Sequence, residues 1–274
     1  MGLLLVLAGL TGCDSPGEES PAPESSDDGV ASASRDDDVA PEVVETITRE
    51  PTFTQGLETL PDGSILHSRG MYGASGIDIL SSSGEVIRSR DLPADEFGEG
   101  VTVVPGADGA GATAYQLTWM SGVVHTWSVP DLEPGPLLRI DGEGWGLCYD
   151  ATREVLWQSD GSSRLRSLRL PDLQPLGSVP VTEQGTPIDQ LNELECLDGT
   201  VWANVWRSND LVSIDPDTGR VGRRVELDAL ARAEGTQSPD DVLNGIARGE
   251  QDTLVVTGKN WAHLYRIDVS APQG

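Results

Sequence analysis

The chain has 274 residues, with 45 acidic side chains against 18 basic ones and a formal net charge of −27. Such a chain repels phosphate backbones, so nucleic acid is excluded as an expected partner, and its surface offers nothing to anionic lipid headgroups. All but one of the basic residues are arginine, the exception being Lys259, and 7 Trp stand against 2 Phe.

Residues 2–10, Gly-Leu-Leu-Leu-Val-Leu-Ala-Gly-Leu, are too few to cross a bilayer as a helix but suit the apolar region of an export signal. Leu10-Thr-Gly-Cys13 follows and resembles a bacterial lipoprotein box, which implies lipidation of Cys13 and a mature chain beginning there. More than one acyl chain is needed for stable anchoring. Residues 1–13 are therefore expected to be a signal with its lipidated cysteine, and the product an exported protein of the cell envelope. Residues 14–41 hold nine acidic side chains, one Arg and four Pro with few large apolar groups. They cannot bury enough surface to offset their ordering entropy, so a disordered acidic tether is expected.

Residues 42–274 read as one all-β domain. Their apolar runs are short, alternating and bounded by turn residues, as in Asp198-Gly-Thr-Val-Trp-Ala-Asn-Val-Trp. One unit recurs five times: Thr54-Gln-Gly-Leu-Glu, Gly98-Glu-Gly-Val-Thr, Gly144-Trp-Gly-Leu-Cys, Leu191-Asn-Glu-Leu-Glu and Leu243-Asn-Gly-Ile-Ala. Anchored on Gly56, Gly100, Gly146, Glu193 and Gly245, the units are spaced by 44, 46, 47 and 52 residues. Units of this length built from short strands predict a five-bladed β-propeller with a central channel. The anchors should open the innermost strands, where small residues let the blades crowd the axis. Residues 43–47 are expected to pair with the last blade and close the ring.

The residue before each anchor occupies an equivalent place in every blade: Gln55, Glu99, Trp145, Asn192 and Asn244. A second ring, 13 to 19 residues after the anchors, reads Arg69, Trp119, Asp160, Trp206 and Lys259. Both rings should meet at one mouth of the channel, giving an aromatic pocket with a few aimed polar groups. Trp157 and Trp202 are expected to fill space between blades. Taken singly, the pocket tryptophans could do the same, and Glu99, the asparagines and Lys259 could be solvated or turn-capping residues. Their shared register favours a site.

The ordered motifs Phe53-Thr-Gln-Gly-Leu-Glu, Phe97-Gly-Glu-Gly, Gln116-Leu-Thr-Trp, Gly144-Trp-Gly-Leu, Leu191-Asn-Glu-Leu-Glu, Val201-Trp-Ala-Asn-Val-Trp, Leu243-Asn-Gly-Ile-Ala and Val256-Thr-Gly-Lys-Asn-Trp resemble the plant-type and bacterial glutaminyl-peptide cyclotransferases. The resemblance runs from about residue 45 to 269 and implies a five-bladed propeller that converts N-terminal glutamine to pyroglutamate with release of ammonia. It implies a proton-shuttling role for Glu99, catalytic roles for Asn192 and Lys259, and substrate binding by Gln55, Trp119, Trp145 and Trp206. Arg69 and Asn244 join the expected binding set from their register. No metal or other cofactor is required by this chemistry, the expected partners are peptides or proteins with N-terminal glutamine, and a monomer is expected. The chain departs from the family pattern at His67-Ser-Arg-Gly-Met-Tyr-Gly, where members often read Glu-Ser-Thr-Gly-Leu-Tyr-Gly, which places Arg69 near the second ring, able to narrow the mouth or contact substrate carbonyls.

Two rival classes are a propeller lactonase that binds calcium through Glu99, Asn192 and Asn244, and a non-catalytic scaffold that binds partners on a rim. Cys148 and Cys196 lie two and three residues after their anchors, an offset that points to opposite faces and so to free, buried thiols. His67, His125 and His263 fall in different blades without ligand spacing, so no zinc site is expected.

Overall fold

Each repeat folds into an antiparallel sheet of its own in the computed structural model, which describes residues 41–107, 111–235 and 238–270. The expected lipidation site Cys13, the export signal and nearly all of the tether lie outside the described residues.

The first blade is β2 (Thr54–Thr59), β3 (Ile65–Arg69), β4 (Gly76–Leu80) and β5 (Val86–Asp91), paired in that order. The second runs β6 (Gly98–Pro105), β7 (Ala112–Thr118), β8 (Val123–Val129) and β9 (Leu138–Arg139). The third is β10 (Leu147–Asp150), β11 (Val155–Gln158), β12 (Arg164–Arg169) and β13 (Pro175–Pro180). The fourth is β16 (Leu191–Leu197), β17 (Thr200–Val205), β18 (Asp210–Asp215) and β19 (Arg220–Glu226), extended by the two-residue strands β14 (Thr182–Glu183) and β15 (Thr186–Pro187). The fifth, β20 (Leu243–Arg248), β21 (Thr253–Gly258) and β22 (His263–Asp268), takes its outer strand from the start of the domain. β1 (Val43–Thr48) pairs antiparallel with β22, so the expected ring closure is what the structure has.

Burial follows the distance from the axis. In the first blade β4 is buried on every residue, while the outer β5 is exposed along nearly its whole length. A strand packed between two neighbouring sheets needs apolar residues on both faces, which is why Gly76-Ile-Asp-Ile-Leu reads as a near-continuous run. Five apolar clusters form the core, one between each pair of adjacent blades. Trp157 and Trp202 sit in two of them, each 5% exposed, as space-fillers.

The anchors lie where the inner strands crowd together. A Cβ on Gly146 would fall 2.0 Å from the Asn192 carbonyl oxygen, and one on Gly56 2.6 Å from the Val101 amide nitrogen. Glycine is demanded there by backbone approach. Glu193 is the one anchor with a side chain, and its carboxylate crosses the axis, accepting from the Leu57 amide at 3.1 Å and the Ile246 amide at 2.6 Å. It ties the first, fourth and fifth blades together.

Two features differ from the sequence expectations. A seven-residue helix, α1 (Asp228–Glu234), interrupts the connection from β19 to β20. Its Glu234 accepts from the Tyr265 hydroxyl at 2.7 Å and the Ala262 amide at 2.8 Å, fastening the connection to the fifth blade. Secondly, Cys148 and Cys196 are not free: they form a disulfide, with Cα atoms 5.4 Å apart. Opposite faces are the requirement here, because the two cysteines sit on adjacent sheets packed face to face. The face that β10 turns toward the fourth blade is the opposite of the face that β16 turns toward the third.

Candidate active site

Four of the five residues before the anchors and three of the five at the ends of the second strands converge at one mouth of the channel. A cavity of about 150 Å³ is lined there by Gln55, Glu99, Trp119, Trp145, Asn192, Trp206 and Lys259, with Phe53, Phe97 and Asp240. Seven of the nine expected catalytic and substrate-binding residues therefore share one cavity.

Glu99 sits on the first turn of pleat in β6 and is 5% exposed. Its main-chain carbonyl accepts from the Ser68 hydroxyl, which itself accepts from Gln116 Nε2 at 2.8 Å. Its side chain is reached from the first blade: Gln55 Nε2 donates to Glu99 Oε1 at 2.8 Å. Gln55 is oriented in turn by Asn244, whose Nδ2 donates to Gln55 Oε1 at 3.0 Å and to the Thr54 carbonyl at 3.1 Å. Burial pushes the Glu99 carboxyl well above its ordinary range. The nearby Lys259 charge and the Gln55 hydrogen bond oppose that rise, while Glu143 adds to it.

Lys259 follows β21 directly and is 6% exposed, with Nζ 4.9 Å from the centre of the Phe53 ring. Burial lowers its pKa, and Glu99 and Asp240 hold it up. An ammonium over an aromatic face retains part of the stabilisation lost with water. Asn192 is 3% exposed, and its Oδ1 has no protein partner among the described residues. This leaves the amide oxygen, an acceptor, without a protein partner beside the cavity.

The walls are aromatic. Trp145 meets Trp206 edge to face at 5.6 Å, and Phe97 meets Trp119 in the same way at 5.8 Å. Trp145 lies against Gly161, where a Cβ would come within 2.7 Å of the indole and where the backbone has a φ of +78°. The indole N–H groups of Trp119 and Trp145 both donate to Glu143 Oε2, at 2.8 and 2.9 Å.

Two expected binding residues do not line the cavity. Arg69 is drawn outward along its blade, where Nε pairs with Asp78 at 3.1 Å and Nη2 with Asp91 at 2.5 Å. Two carboxylates, on β4 and β5 of the same blade, decide its direction, so it does not line the cavity. Asn244 is fully buried behind Gln55, positioning it from the second layer. Asp160 of the second ring is likewise held by Arg166 at 2.7 Å. The departure at His67 is absorbed structurally: the buried imidazole meets Arg49 Nη1 at 3.3 Å, Thr54 Oγ1 at 3.1 Å and Asp78 at 3.5 Å.

Phe53, Phe97 and Glu143 were not expected in the site, although a signal exists. All three lie three residues before an anchor, and the two phenylalanines are the only ones in the chain. Asp240 carries no such register mark.

The fold and the cavity define a five-bladed propeller whose channel mouth holds a buried carboxyl beside a buried ammonium. A family model described as glutamine cyclotransferase matches residues 18–269. The glutaminyl-peptide cyclotransferase of Arabidopsis thaliana is 32% identical over 234 residues, spanning 82% of this chain and 70% of that one. The crystal structure of the Myxococcus xanthus glutaminyl cyclase superposes with a TM-score of 0.74 at 33% identity, over 83% of this chain and 95% of that one. The chain belongs to the glutamine cyclotransferase family.

Proposed function

We propose that this chain, as a glutaminyl-peptide cyclotransferase, closes the N-terminal glutamine of peptides or proteins into pyroglutamate with Glu99 as the proton carrier. The observation that carries the reading is the buried Glu99 carboxyl set beside Lys259 within tryptophan walls. In the reaction the α-amine attacks the side-chain amide carbon, the carbon–nitrogen bond to the amide nitrogen breaks, and that nitrogen leaves as ammonia. One proton must leave the α-nitrogen and one must reach the departing nitrogen. A single carboxylate placed between them performs both transfers, and a raised pKa brings it closer to neutral working conditions. The carbonyl oxygen gains negative charge on attack. Lys259 and the amide of Asn192 are the donors assigned to it, each worth about 3 kcal/mol in comparable sites. Trp119, Trp145 and Trp206 hold the glutamine side chain folded toward its own amine, and Gln55 keeps Glu99 aimed.

The rival calcium set is split, since Asn244 is spent on Gln55 and Lys259 brings a cation to the same cavity. Activity is expected to persist in chelator, whereas its loss would support the rival. A coupled ammonia assay on peptides beginning with glutamine tests the main reading. Glu99→Gln and Lys259→Ala are each expected to lower kcat by about a hundredfold or more while leaving the protein folded. Near-normal turnover by folded Glu99→Gln protein would overturn the shuttle.

We further propose that the chain is exported and anchored through lipid on Cys13, with residues 14–41 as the tether, and acts as a monomer. The Cys148–Cys196 disulfide supports an oxidising compartment. Detergent-phase partition lost on Cys13→Ser would support the anchor, and unchanged partition would refute it. Light scattering of the purified domain checks the monomer.

A further inference from the structure

Glu143 stands behind two tryptophans of the cavity wall and takes no part in the proton transfers. It lies three residues before the Gly146 anchor, in the connection leading into the third blade. The loop is fixed rather than loose: the Gly144 amide donates to the Trp119 carbonyl at 3.1 Å, and Gln158 Nε2 donates to the Glu143 carbonyl at 2.8 Å. Behind it, a Cβ on Gly144 would fall 3.0 Å from Ile140 and 3.1 Å from Leu117, so the connection is pressed onto the second blade.

An ordinary loop glutamate points into water. Here one carboxylate oxygen takes the indole N–H groups of two tryptophans from different blades, Trp119 at 2.8 Å and Trp145 at 2.9 Å. An indole has one donor and both rings line the cavity, so the bond at the ring edge constrains the orientation of the wall. Hydrogen bonds to an ionised acceptor are stronger than neutral ones. No basic side chain lies within ion-pair distance of Glu143 among the described residues. Its charge therefore acts on the cavity without a local counter-ion.

We propose that Glu143 is a positioning residue of the cyclisation site: one carboxylate oxygen sets the planes of the Trp119 and Trp145 walls, while its unneutralised charge acts on Glu99. The inference rests on the reading of Glu99 as proton carrier. Glu99 shares the cavity with Gln55 from β2, Lys259 just after β21, Asn192 from β16, Trp119, Trp145 and Asp240, and Glu143 acts on it from behind the tryptophans. Of these, Lys259 favours the carboxylate and Glu143 the protonated acid, with Asp240 acting on Lys259. Glu143 thus adds to burial in favouring the protonated form of Glu99, against Lys259 and Gln55.

Two variants of the full chain separate the two actions. Glu143→Gln keeps an oxygen that can accept from both indoles but removes the charge. The acid limb of its kcat profile is expected to move to lower pH by about half a unit or more, the effect of one charge at protein-like screening. Glu143→Ala frees both indoles, and KM for a glutamine-initiated peptide is expected to rise about tenfold, with a change in tryptophan emission. An acid limb unmoved in Glu143→Gln, in a protein whose Glu99→Gln variant has lost turnover, overturns the proposal. Turnover retained by Glu99→Gln would instead overturn the shuttle itself. Should Glu143→Ala not fold, the pH profile of Glu143→Gln still decides the matter.

Discussion

Gln55 Nε2 donates to Glu99 Oε1 at 2.8 Å, so the carboxyl of the second blade is held by a side chain of the first. Asn244, from the fifth blade, sets the amide of Gln55 by donating to its oxygen. Three consecutive blades around the axis thus act on one acid. The chain Asn244 to Gln55 to Glu99 orients the carboxyl, and its last hydrogen bond favours the ionised form.

Removing Gln55 is expected to shift the pH profile in the direction opposite to removing Glu143. The Gln55 hydrogen bond stabilises the ionised form of Glu99. In Gln55→Ala the acid limb of kcat should therefore move to higher pH, with kcat down about tenfold from lost orientation. A profile that moves downward or not at all would show that the bond does not act on the reacting state.

The disulfide between Cys148 and Cys196 spans a sequence separation of 48 residues. A loop of that length corresponds to about 4 kcal/mol by chain entropy, with measured effects of about 2–4 kcal/mol. The Cys148→Ser/Cys196→Ser protein should unfold at lower denaturant than the oxidised wild type, and added reductant should no longer change its midpoint. Equal midpoints for the two proteins would mean the crosslink constrains little.

Glu58 gives stability a particular pH dependence. Its carboxylate accepts from Thr102 Oγ1 at 2.8 Å and the Val103 amide at 3.2 Å, linking the first blade to the second. Burial nonetheless pushes its pKa from 4.5 up to about 7. A folded pKa above the unfolded one means the folded state binds the proton more tightly. The stabilising contribution is complete below about pH 4.5 and is lost as pH rises through about 7. Glu58→Gln, which keeps an acceptor oxygen, should melt higher than wild type at pH 8 and gain little at pH 4. Parallel melting curves against pH for the two proteins would refute this.

Deleting residues 43–48 removes β1 and leaves the outer edge of β22 unpaired. The ladder from Val43↔Ile267 to Thr48↔His263 would go, and Ile47, 8% exposed in the core between the fifth and first blades, would go with it. A fall in melting temperature of about 10 °C or more is expected. A fall of only a few degrees would mean that packing between blades, rather than strand exchange, holds the ring.

Much of this architecture is legible without coordinates because a propeller repeats its register. Once Gly56, Gly100, Gly146, Glu193 and Gly245 align, the residue before each must occupy the same place in its blade. Gln55, Glu99, Trp145 and Asn192 therefore meet in one cavity. The same logic, applied three residues before the anchors, would have reached Phe53, Phe97 and Glu143. Register says where a side chain starts, and not which partner it turns to. Arg69 starts in the same ring as Lys259, yet Asp78 on β4 and Asp91 on β5 draw it away.

The sequence by itself determined the number of blades, the strand that closes the ring, and the ring of residues at the channel mouth, because all three follow from covalent spacing. Only the tertiary structure decided what meets across the gaps between blades: the disulfide that joins opposite strand faces, Asn244 behind Gln55, and the two indoles on Glu143. Those contacts depend on which face of one sheet is turned toward the next and on distances of a few ångströms, in all but the Trp145–Glu143 bond between residues 24 to 189 positions apart along the chain. Spacing along a single chain carries no measure of either. The lone lysine belongs to both accounts: composition singled it out, and packing against Phe53 beside Glu99 made it part of a site.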